Sequence, residues 1–261
     1  MHATSDYNVI GRTYDATRRA DPGITERLAA LLEATPGSRI VDIACGTGNY
    51  TCALAQRGLT LTGIDCSEVM LSAAREKSTE IAWHVGAVEQ LPFADATFDC
   101  ATCTLAIHHF TDRPAAFREV RRVLRDGRLV IFTSSPQQMR RYWLNHYFPI
   151  ALQRSIEKMP DLADVRRALL AAGFAIVTTE PFAVTPELCD HFLYSAKHDP
   201  QRYLDPDFRR GISTFQSLID AEELDQGCAA LAEDLRCGRF DAIAQRYAHD
   251  RGDYTFVAAA T

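Results

Sequence analysis

"RIVDIACGTGNYTCALAQRG", residues 39 to 58, contains the pattern that decides the fold. A short apolar run leads into Gly46 and Gly48, and a segment with helical spacing follows. Glycine has no Cβ, so such a turn lets a ligand approach the backbone closely. The spacing is GxG without the third glycine of a dinucleotide fingerprint, because Tyr50 and Thr51 occupy that region, and no GxxxxGK[ST] sequence occurs. Alone, this pattern is as typical of a structural turn as of a cofactor site.

The composition limits the classes of protein that remain. The chain has 261 residues, 47% of them hydrophobic and 24% charged, which suits one large globular domain. A net charge of -6 provides no basic field for a nucleic-acid backbone, so we expect no nucleic-acid partner. No apolar run approaches the ~20 residues that span a bilayer, and the first residues do not resemble a signal peptide. We predict a cytoplasmic protein without a membrane span, whose oligomeric state stays open.

Strand-like and helix-like segments alternate along the chain, which predicts a doubly wound α/β fold with a mostly parallel sheet. Seven apolar runs are predicted strands, and they are residues 39–44, 60–65, 81–85, 98–106, 128–133, 174–184 and 254–260. Helical patterns follow three of them. These are 49–58 with Gly58 as its stop, 67–77 with Ser67 as its N-cap, and 113–127 closed by Gly127.

Two segments interrupt this alternation, 138–160 after the fifth predicted strand and 186–247 after the sixth. Both are rich in aromatic residues and are predicted to be helical insertions that form a cap over the sheet. The sequence contains no internal repeat and no low-complexity linker. We therefore predict a single domain over 1–261.

Eight cysteines occur, mostly singly and within apolar patterns, as expected for small buried side chains in a reducing compartment. Cys100 and Cys103 form a CxxC pair, the spacing of some metal and redox sites. They fall within a predicted strand, where residues three apart point to opposite faces. We therefore predict neither a metal site nor a redox dithiol at this pair.

Asp65 supplies a second signal for a ligand. It is the last residue of the second predicted strand, where a carboxylate can accept hydrogen bonds from both hydroxyls of a ribose lying across the sheet. The alternative is that Asp65 caps the helix that starts near Ser67. Together with the glycine turn, Asp65 favours a nucleoside-containing cofactor.

At this point the sequence resembles a known family. "VDIACGTG", "LTGIDCSEVML", "VGAVEQLPFADATFDCATCTLAIHHFTD" and "AAFREVRRVLRDGRLVIFT" follow one another as in class I S-adenosylmethionine-dependent methyltransferases. The resemblance is closest to the small-molecule subgroup that includes the ubiquinone and menaquinone methyltransferases, and it covers residues from about 10 to 180. It implies a Rossmann-like seven-stranded sheet whose last strand, "YTFVAAA", is antiparallel. It also implies S-adenosylmethionine as cofactor and a small-molecule acceptor.

The resemblance assigns cofactor contacts to individual residues. Asp42 and the turn from Gly46 to Gly48 would hold the methionine moiety, and Asp65 the ribose. The contacts expected around the adenine and at the strand ends come from Cys66, Met70, Ala87, Val88, Glu89, Ala44 and Leu105. Many relatives have an acid where this chain has Ala87. A backbone group of Ala87 or Val88, or the Glu89 side chain, would therefore have to hydrogen-bond to the edge of the adenine. Ordinary helix packing is the alternative for Met70.

The N-terminal segment resembles the helix that covers the cofactor in these enzymes, here predicted over 10–34. Tyr14 could close over the methionine end, and Arg18 or Arg19 could meet a carboxylate of the cofactor or of an acidic substrate. We take Arg19 as the candidate. The alternative is a solvated basic face.

His108 and His109 follow the fourth strand, near the position where the methyl group would emerge. An imidazole with a pKa near neutrality suits the removal of a proton from a hydroxyl, amine or thiol acceptor. Packing or a backbone hydrogen bond is the alternative for either ring. No metal is required, because the sulfonium already carries an activated methyl group.

Four residues of the insertions are candidates for binding the acceptor: Trp143, His146, Tyr147 and Tyr194. Residues 143, 147 and 150 share a helical face, which could line an apolar pocket but is also typical of a protein core. Two other functions remain open. One is a thiol or arsenite methyltransferase that uses Cys45, Cys52 or Cys66, and the other is a noncatalytic cofactor-binding or regulatory module.

Overall fold

A computed structural model describes Asp15 and residues 17–261, so Tyr14 lies outside the described residues. Its centre is a seven-stranded sheet in the order β3-β2-β1-β4-β5-β7-β6. The strands are β1 (Arg39–Ile43), β2 (Thr60–Asp65), β3 (Ala82–Val85), β4 (Cys100–Thr104), β5 (Arg128–Thr133), β6 (Ala175–Phe182) and β7 (Tyr254–Ala260). The first five pair in parallel, whereas β7 is antiparallel to both of its neighbours. The predicted mostly parallel fold with an antiparallel seventh strand is confirmed.

Helices connect these strands. They are α1 (Pro22–Leu32), α2 (Asn49–Ala55), α3 (Glu68–Lys77), α4 (Arg113–Val123), α5 (Pro136–Met139), α6 (Leu144–Tyr147), α7 (Pro149–Lys158), α8 (Leu162–Ala171), α9 (Pro206–Arg210), α10 (Ala221–Cys237) and α11 (Phe240–Arg246). Short 3₁₀ turns occupy Val88–Gln90, Ile107–His109 and Pro200–Leu204, and a π-helix occupies Thr214–Leu218. Ser67 caps α3 as predicted, because its hydroxyl accepts a hydrogen bond from the Met70 N–H at 3.4 Å.

Several predicted boundaries are wrong for local reasons. The helix predicted up to Gly127 ends at Val123, because Leu124 leaves it to form a bridge with Phe98. Gly127 instead lies against the chain before β4, and a Cβ there would stand 1.7 Å from the Asp99 carbonyl oxygen. The predicted strands 98–106 and 174–184 shorten to β4 and β6.

The N-terminal helix is also shorter than the predicted 10–34. It begins at Pro22, whose ring fits the first turn of a helix, and Asp21 caps it by accepting a hydrogen bond from the Ile24 N–H at 3.0 Å. Residues 17–21 precede it without helical structure, while 10–14 and 16 lie outside the described part of the chain. The described residues that precede this helix and approach the predicted cofactor site, Asp15 and 17–21, are called the strap below, and 17–21 are not helical.

Two hydrophobic clusters cover the two faces of the sheet. Cys100 belongs to the cluster that contains α1 and the cap, and Cys103 to the cluster that contains α4 and α8. The two thiols therefore point to opposite faces, as predicted, and both are free. Because sheet residues such as Phe132 and cap residues such as Trp143 share one cluster, the cap packs directly on the sheet.

Candidate cofactor and acceptor site

The carboxyl ends of β1, β2 and β4 open into a cavity of about 540 Å³. In parallel α/β sheets this edge, where the strand order reverses, is where ligands bind. Nine of the predicted cofactor-binding residues line this cavity, and they are Ala44, Gly46, Asp65, Cys66, Met70, Ala87, Val88, Glu89 and Leu105. The cavity is called the donor cavity below.

The glycine turn places its two glycines in different roles. Both have positive φ, 57° at Gly46 and 72° at Gly48, a region that favours glycine. A Cβ on Gly46 would meet nothing within 4 Å, whereas one on Gly48 would stand 2.4 Å from the Trp83 ring. Gly46 therefore leaves its side open toward the donor cavity. Gly48 does not line that cavity, and its lack of a side chain makes room for Trp83.

Asp65 joins the glycine turn to the start of α3. Its two carboxylate oxygens accept backbone hydrogen bonds from Gly46 and Ser67, each at 2.8 Å. Burial raises the pKa of the Asp65 carboxyl, although these N–H donors oppose the shift. The contact with Ser67 is the helix-end role considered as an alternative. The thiol and the backbone of Cys66 also hydrogen-bond to this carboxylate, so a hydroxyl group in the donor cavity would bind beside or in place of one of these donors.

Asp42 is 2% exposed in the middle of the sheet and lines a smaller cavity of about 50 Å³ beside the glycine turn. Burial raises the pKa of its carboxyl to about 7, and the negative charge of Asp65 acts in the same direction. A hydrogen bond of 2.6 Å from the Thr51 hydroxyl opposes the shift. Burial destabilises the charged form of a carboxyl, so this position favours a positively charged ligand group that would stabilise it.

At the far end of the donor cavity lie the three residues predicted to bind the edge of the adenine, Ala87, Val88 and Glu89. The Glu89 carboxylate faces the chain after the histidines, where Oε1 accepts hydrogen bonds from the N–H and the hydroxyl of Thr111, both at 2.9 Å. This leaves Oε2 for another partner. Val88 begins a 3₁₀ turn, and the first N–H groups of such a turn have no partner within it. Ala87 and Val88 therefore present backbone groups at the cavity.

Two non-glycine residues of the donor cavity have strained backbones. Ala44 and Leu105 both have φ of 53°, which costs of order 1–3 kcal/mol at such a residue. Each follows a strand that ends at the donor cavity. Thr104, just before Leu105, also lines the cavity, and its hydroxyl is buried without a hydrogen-bond partner among the described residues. Strain and an unsatisfied hydroxyl at one point are typical of a ligand-binding site.

The two histidines lie side by side, with ring centroids 3.9 Å apart. His109 lines the donor cavity only, whereas His108 lines both that cavity and a second one toward the cap. Burial lowers the pKa of His108 well below its usual value, and the charges of His109 and Lys158 add to this. Its Nδ1 is buried without a hydrogen-bond partner among the residues described. His108 is therefore neutral at pH 7, and it is a weaker base than the predicted imidazole with a pKa near neutrality.

The strap is held by a group of buried polar contacts. Nε of Arg18 donates to Asp190 Oδ1 at 2.6 Å and Nη2 donates to Oδ2 at 3.2 Å, and the Tyr50 hydroxyl donates to the same Oδ2 at 3.0 Å. Asp190 is 1% exposed. On the other side, Asp15 accepts a hydrogen bond from the Thr47 hydroxyl at 2.7 Å, within the glycine turn. The strap thus bridges the glycine turn and the cap.

Of the two arginines, Arg18 faces the cavities. It lines the small cavity beside Asp42 and also the cavity toward the cap. Arg19, the predicted candidate, is exposed, and its Nε donates to the Cys189 carbonyl oxygen at 3.0 Å. Arg19 lines neither of these two cavities, so the structure favours Arg18, the other arginine considered for this role.

The second cavity, about 100 Å³, lies between the sheet and the cap and is called the acceptor chamber below. Leu105 and His108 line both the chamber and the donor cavity, so the two spaces meet at these residues. Most of the chamber wall is apolar, and polar atoms come from Arg18, His108 and several hydroxyl groups. A ligand group in the chamber would lie directly beside one in the donor cavity.

The four predicted acceptor-binding residues lie elsewhere. Trp143 is 2% exposed and packs edge-on against Tyr203 and Phe240, and its Nε1 donates to the Lys197 carbonyl oxygen at 3.2 Å. The Tyr194 hydroxyl accepts from the Trp143 N–H at 3.2 Å.

The other two candidates face outward or pack beneath the surface of the cap. The Tyr147 hydroxyl donates to Asp234 at 3.2 Å, and His146 is exposed in a surface depression with Asp234 and Arg239. Since none of the four lines the acceptor chamber, the structure gives them packing and surface positions, as the core alternative for this aromatic stripe implies.

Sequence reasoning missed other residues of the site. Thr104 directly precedes Leu105, and its place at a strand end beside the histidines was a usable signal. Asp190 is an acid between apolar and aromatic residues, a pattern that indicates a buried charge needing a partner. Nothing local marks the residues that line the chamber from the cap, because they are brought together from distant segments.

The fold and the site together define a class of enzyme: a class I methyltransferase with its ligand edge at β1, β2 and β4. A family model for a methyltransferase domain matches residues 41–132. Malonyl-[acyl-carrier protein] O-methyltransferase from Serratia marcescens is 29% identical over 178 residues, which are 67% of this chain and 68% of that protein. Demethylmenaquinone methyltransferase from Mycobacterium sp. strain KMS is 30% identical over 198 residues, which are 66% of this chain and 85% of that protein.

Among solved structures, a chain from Anabaena variabilis, provisionally described as a methyltransferase from an antibiotic biosynthesis pathway, is 31% identical. It superposes with a TM-score of 0.84 over 94% of this chain and 99% of its own length. Some curated relatives are matched over only about half of their length. This chain belongs to the class I S-adenosylmethionine-dependent methyltransferases.

Within Asp15 and 17–261, no group of three or more His, Cys, Asp or Glu side chains has the geometry to hold a metal ion. In that same part of the chain, no helix combines the length and the apolar character needed to cross a membrane.

Proposed function

We propose that this protein transfers a methyl group from S-adenosylmethionine to a small-molecule acceptor through an oxygen, nitrogen or carbon nucleophile. The observation that carries the proposal is a pair of acids near the ends of neighbouring strands, with Asp42 on the small cavity and Asp65 on the donor cavity that meets a separate chamber at His108. Family membership supports the donor. The names of the relatives specify two very different acceptors, so they leave the acceptor of this chain open.

The residues of the donor cavity fit S-adenosylmethionine. The molecule carries an ammonium group, a sulfonium, a ribose with two hydroxyls and an apolar adenine. Asp42, a carboxyl whose pKa is raised by burial, suits the ammonium group, directly or through water. The Asp65 carboxylate lies at the strand end where a ribose would lie, and Met70, 2% exposed, offers a polarizable surface to the adenine. The unpartnered Thr104 hydroxyl lies at the boundary of the small cavity and the donor cavity.

When bound, the cofactor supplies a methyl group that is already activated, so the chain has to hold, orient and shield the reactants. Arg18 and the strap cover the small cavity, which excludes water from it. His108, neutral because its pKa is lowered, can take a proton from an acceptor hydroxyl or amine at the junction of the two spaces. The His109 ring lies against this ring at an interplanar angle of 46°, a position from which it can orient it. We propose a positioning role for His109 rather than that of a base.

The experiment that tests this proposal has two stages. Calorimetry with S-adenosylhomocysteine should show binding to folded protein, and turnover of labelled S-adenosylmethionine with phenols, amines and thiols should then give a methylated product. No binding by well-folded protein would refute the cofactor assignment. Binding without turnover across the panel would favour the noncatalytic binding module.

The thiol or arsenite alternative is weakened by the placement and protonation of the cysteines. Cys66 lines the donor cavity, Cys45 lines the small cavity, and Cys52 lines neither. Burial raises the pKa of all three thiols, whereas thiolates are the form that binds metalloids and attacks electrophiles. A Cys45→Ser, Cys52→Ser, Cys66→Ser variant should keep its turnover. Loss of turnover in a folded variant that still binds S-adenosylhomocysteine would restore the alternative.

Three other predictions stay predictions. These are a cytoplasmic location, a single domain over 1–261 and the absence of a nucleic-acid partner. The oligomeric state remains open.

A further inference from the structure

We infer that the acceptor chamber takes an uncharged group about the size of one small ring that carries at least one hydroxyl, and that it rejects free carboxylates. This inference rests on the proposed function, because it identifies the acceptor of the same site. It is carried by three properties of the chamber, which are its volume, its charge and its hydroxyl groups.

The volume limits the acceptor to a small group. The chamber has a volume of about 100 Å³, less than the cavity of about 150 Å³ that accommodates benzene in an apolar protein core, so a single ring fills it and extends into the junction with the donor cavity at Leu105 and His108. The walls come from side chains that are apolar and mostly buried, among them Met139, Met159, Phe192 and Ile212. Such walls stabilise an apolar ring face. A fused two-ring system exceeds this volume unless a wall residue moves.

The charge of the chamber is balanced before any acceptor enters. Arg18 is the charged side chain among the described residues of its wall, and both of its hydrogen bonds to Asp190 are internal. The side chains of this pair are 13% and 1% exposed. A carboxylate entering the chamber would lose its water without gaining an unpaired cation, and burial of an uncompensated charge is strongly unfavourable. The imidazole of His108 is neutral as well, so it offers no positive charge.

Two pairs of hydroxyl groups give the chamber its polarity. Ser134 Oγ lies 2.8 Å from the Tyr142 hydroxyl, and both are within hydrogen-bond distance of the Asp253 carbonyl oxygen. Ser155 Oγ lies 3.1 Å from Thr214 Oγ1. Both hydrogens of the first pair have an acceptor in the Asp253 carbonyl oxygen, and the Tyr142 hydroxyl also hydrogen-bonds to Tyr254, which leaves lone pairs on Ser134 Oγ. Those lone pairs accept a hydrogen bond from an incoming hydroxyl and repel a carboxylate.

A hydroxyl acceptor also gives a balanced reaction with the groups present. An oxygen–carbon bond forms to the methyl group while the sulfur–carbon bond of the donor breaks, and the bonding electrons remain on sulfur, which becomes a neutral thioether. The proton of the hydroxyl passes to the neutral imidazole of His108 and then to water. Because the positive charge moves from sulfur to the imidazole, net charge is conserved.

Fluorine NMR with three probes of matched size tests the inference without relying on turnover. The probes are 4-fluorophenol, 4-fluorotoluene and 4-fluorobenzoate, each titrated at pH 7 into protein with and without S-adenosylhomocysteine. We expect 4-fluorophenol to bind at least about tenfold more tightly than either other probe, a ratio that corresponds to about 1.4 kcal/mol. Ser134→Ala should reduce the preference for phenol over toluene, whereas Ser78→Ala, just after α3 and remote from the chamber, should not.

The size limit is tested in the same assay. We expect 1-naphthol to displace 4-fluorophenol from a Met159→Ala variant but not from the wild type. Equal binding of benzoate and phenol overturns the charge argument, equal binding of toluene and phenol overturns the hydroxyl argument, and displacement by 1-naphthol from the wild type overturns the size argument. If S-adenosylhomocysteine fails to bind while 4-fluorophenol binds as described, the inference about the chamber stands and the proposed methyl transfer fails.

Discussion

The raised pKa of Asp42 allows a quantitative test of its role. A folded-state pKa of about 7, against the usual value of 3.8, is a shift of about three units, or about 4 kcal/mol at 1.36 kcal/mol per unit. The carboxyl holds its proton more tightly in the folded than in the unfolded protein. Folding is therefore favoured at low pH, and the free energy of unfolding falls as the pH rises from about 4 to about 7 and is then constant.

Asp42→Asn is the matched variant, because it preserves the shape of the side chain and an acceptor for the Thr51 hydroxyl. Urea unfolding at intervals from pH 4.5 to 8 should show a wild-type stability that falls relative to the variant by at most about 4 kcal/mol. Subtracting the variant's free energy of unfolding from that of the wild type at each pH cancels the contributions of other acids, including Asp65. If the free energy of unfolding depends on pH in the same way in the wild type and in the variant, the raised pKa of Asp42 is contradicted.

Ligand binding reports on the same carboxyl. If the ammonium group of S-adenosylhomocysteine requires Asp42 to be ionised, each binding event at pH 6 should release about 0.9 proton, since about nine tenths of the carboxyls are protonated at that pH. The apparent affinity should be about tenfold weaker at pH 6 than at pH 8. Calorimetry in buffers of different ionisation enthalpy measures the proton count. Absence of proton release at pH 6 by wild-type protein would refute the reasoning, and Asp42→Asn should show none.

Three further outcomes are expected. Asp65→Asn should weaken binding of S-adenosylhomocysteine by about 1–3 kcal/mol. Asp99→Asn is the control and should leave binding unchanged, because Asp99 lies outside the donor cavity, where its carboxylate accepts a hydrogen bond of 2.8 Å from the Arg39 N–H. Equal affinities of the two variants would contradict the ribose assignment. Gly48→Ala should lower the melting temperature more than Gly46→Ala, because only its Cβ meets Trp83 at 2.4 Å, and the reverse order would overturn that assignment. Trp143→Ala should cost about 3–5 kcal/mol of stability while KM for the acceptor, measured on folded protein, stays near the wild-type value; a large rise in KM would return Trp143 to the acceptor site.

The donor half of the molecule was predictable because its signals are local. The glycine turn, Ser67 as a cap and Asp65 at a strand end each follow from a few neighbouring residues, and the parallel sheet then brings them to one edge. The wrong helix end at Val123 shows the limit of this reasoning. Leu124 leaves a good helical pattern to pair with Phe98, a contact that no local signal reveals.

The acceptor half was not predictable because its chemistry depends on distant contacts. Arg18 and Asp190 are 172 positions apart, and Ser155 meets Thr214 across 59. An aromatic stripe such as the one around Trp143 has the same pattern whether it lines a pocket or fills a core, and here it fills a core. The pKa of His108 likewise depends on burial, which the sequence does not show.

The order of the strands has a consequence for how such a molecule can diversify. The donor cavity is built where β1, β2 and β4 end, whereas the chamber is completed by segments inserted after β5 and β6. Each insertion connects two strands of the sheet. The entropy lost in closing such a connection grows only slowly with its length. Substitution and insertion can therefore reshape the chamber while the donor cavity is preserved. One ancestral methyl-donor site could in this way give rise to descendants with unrelated acceptors.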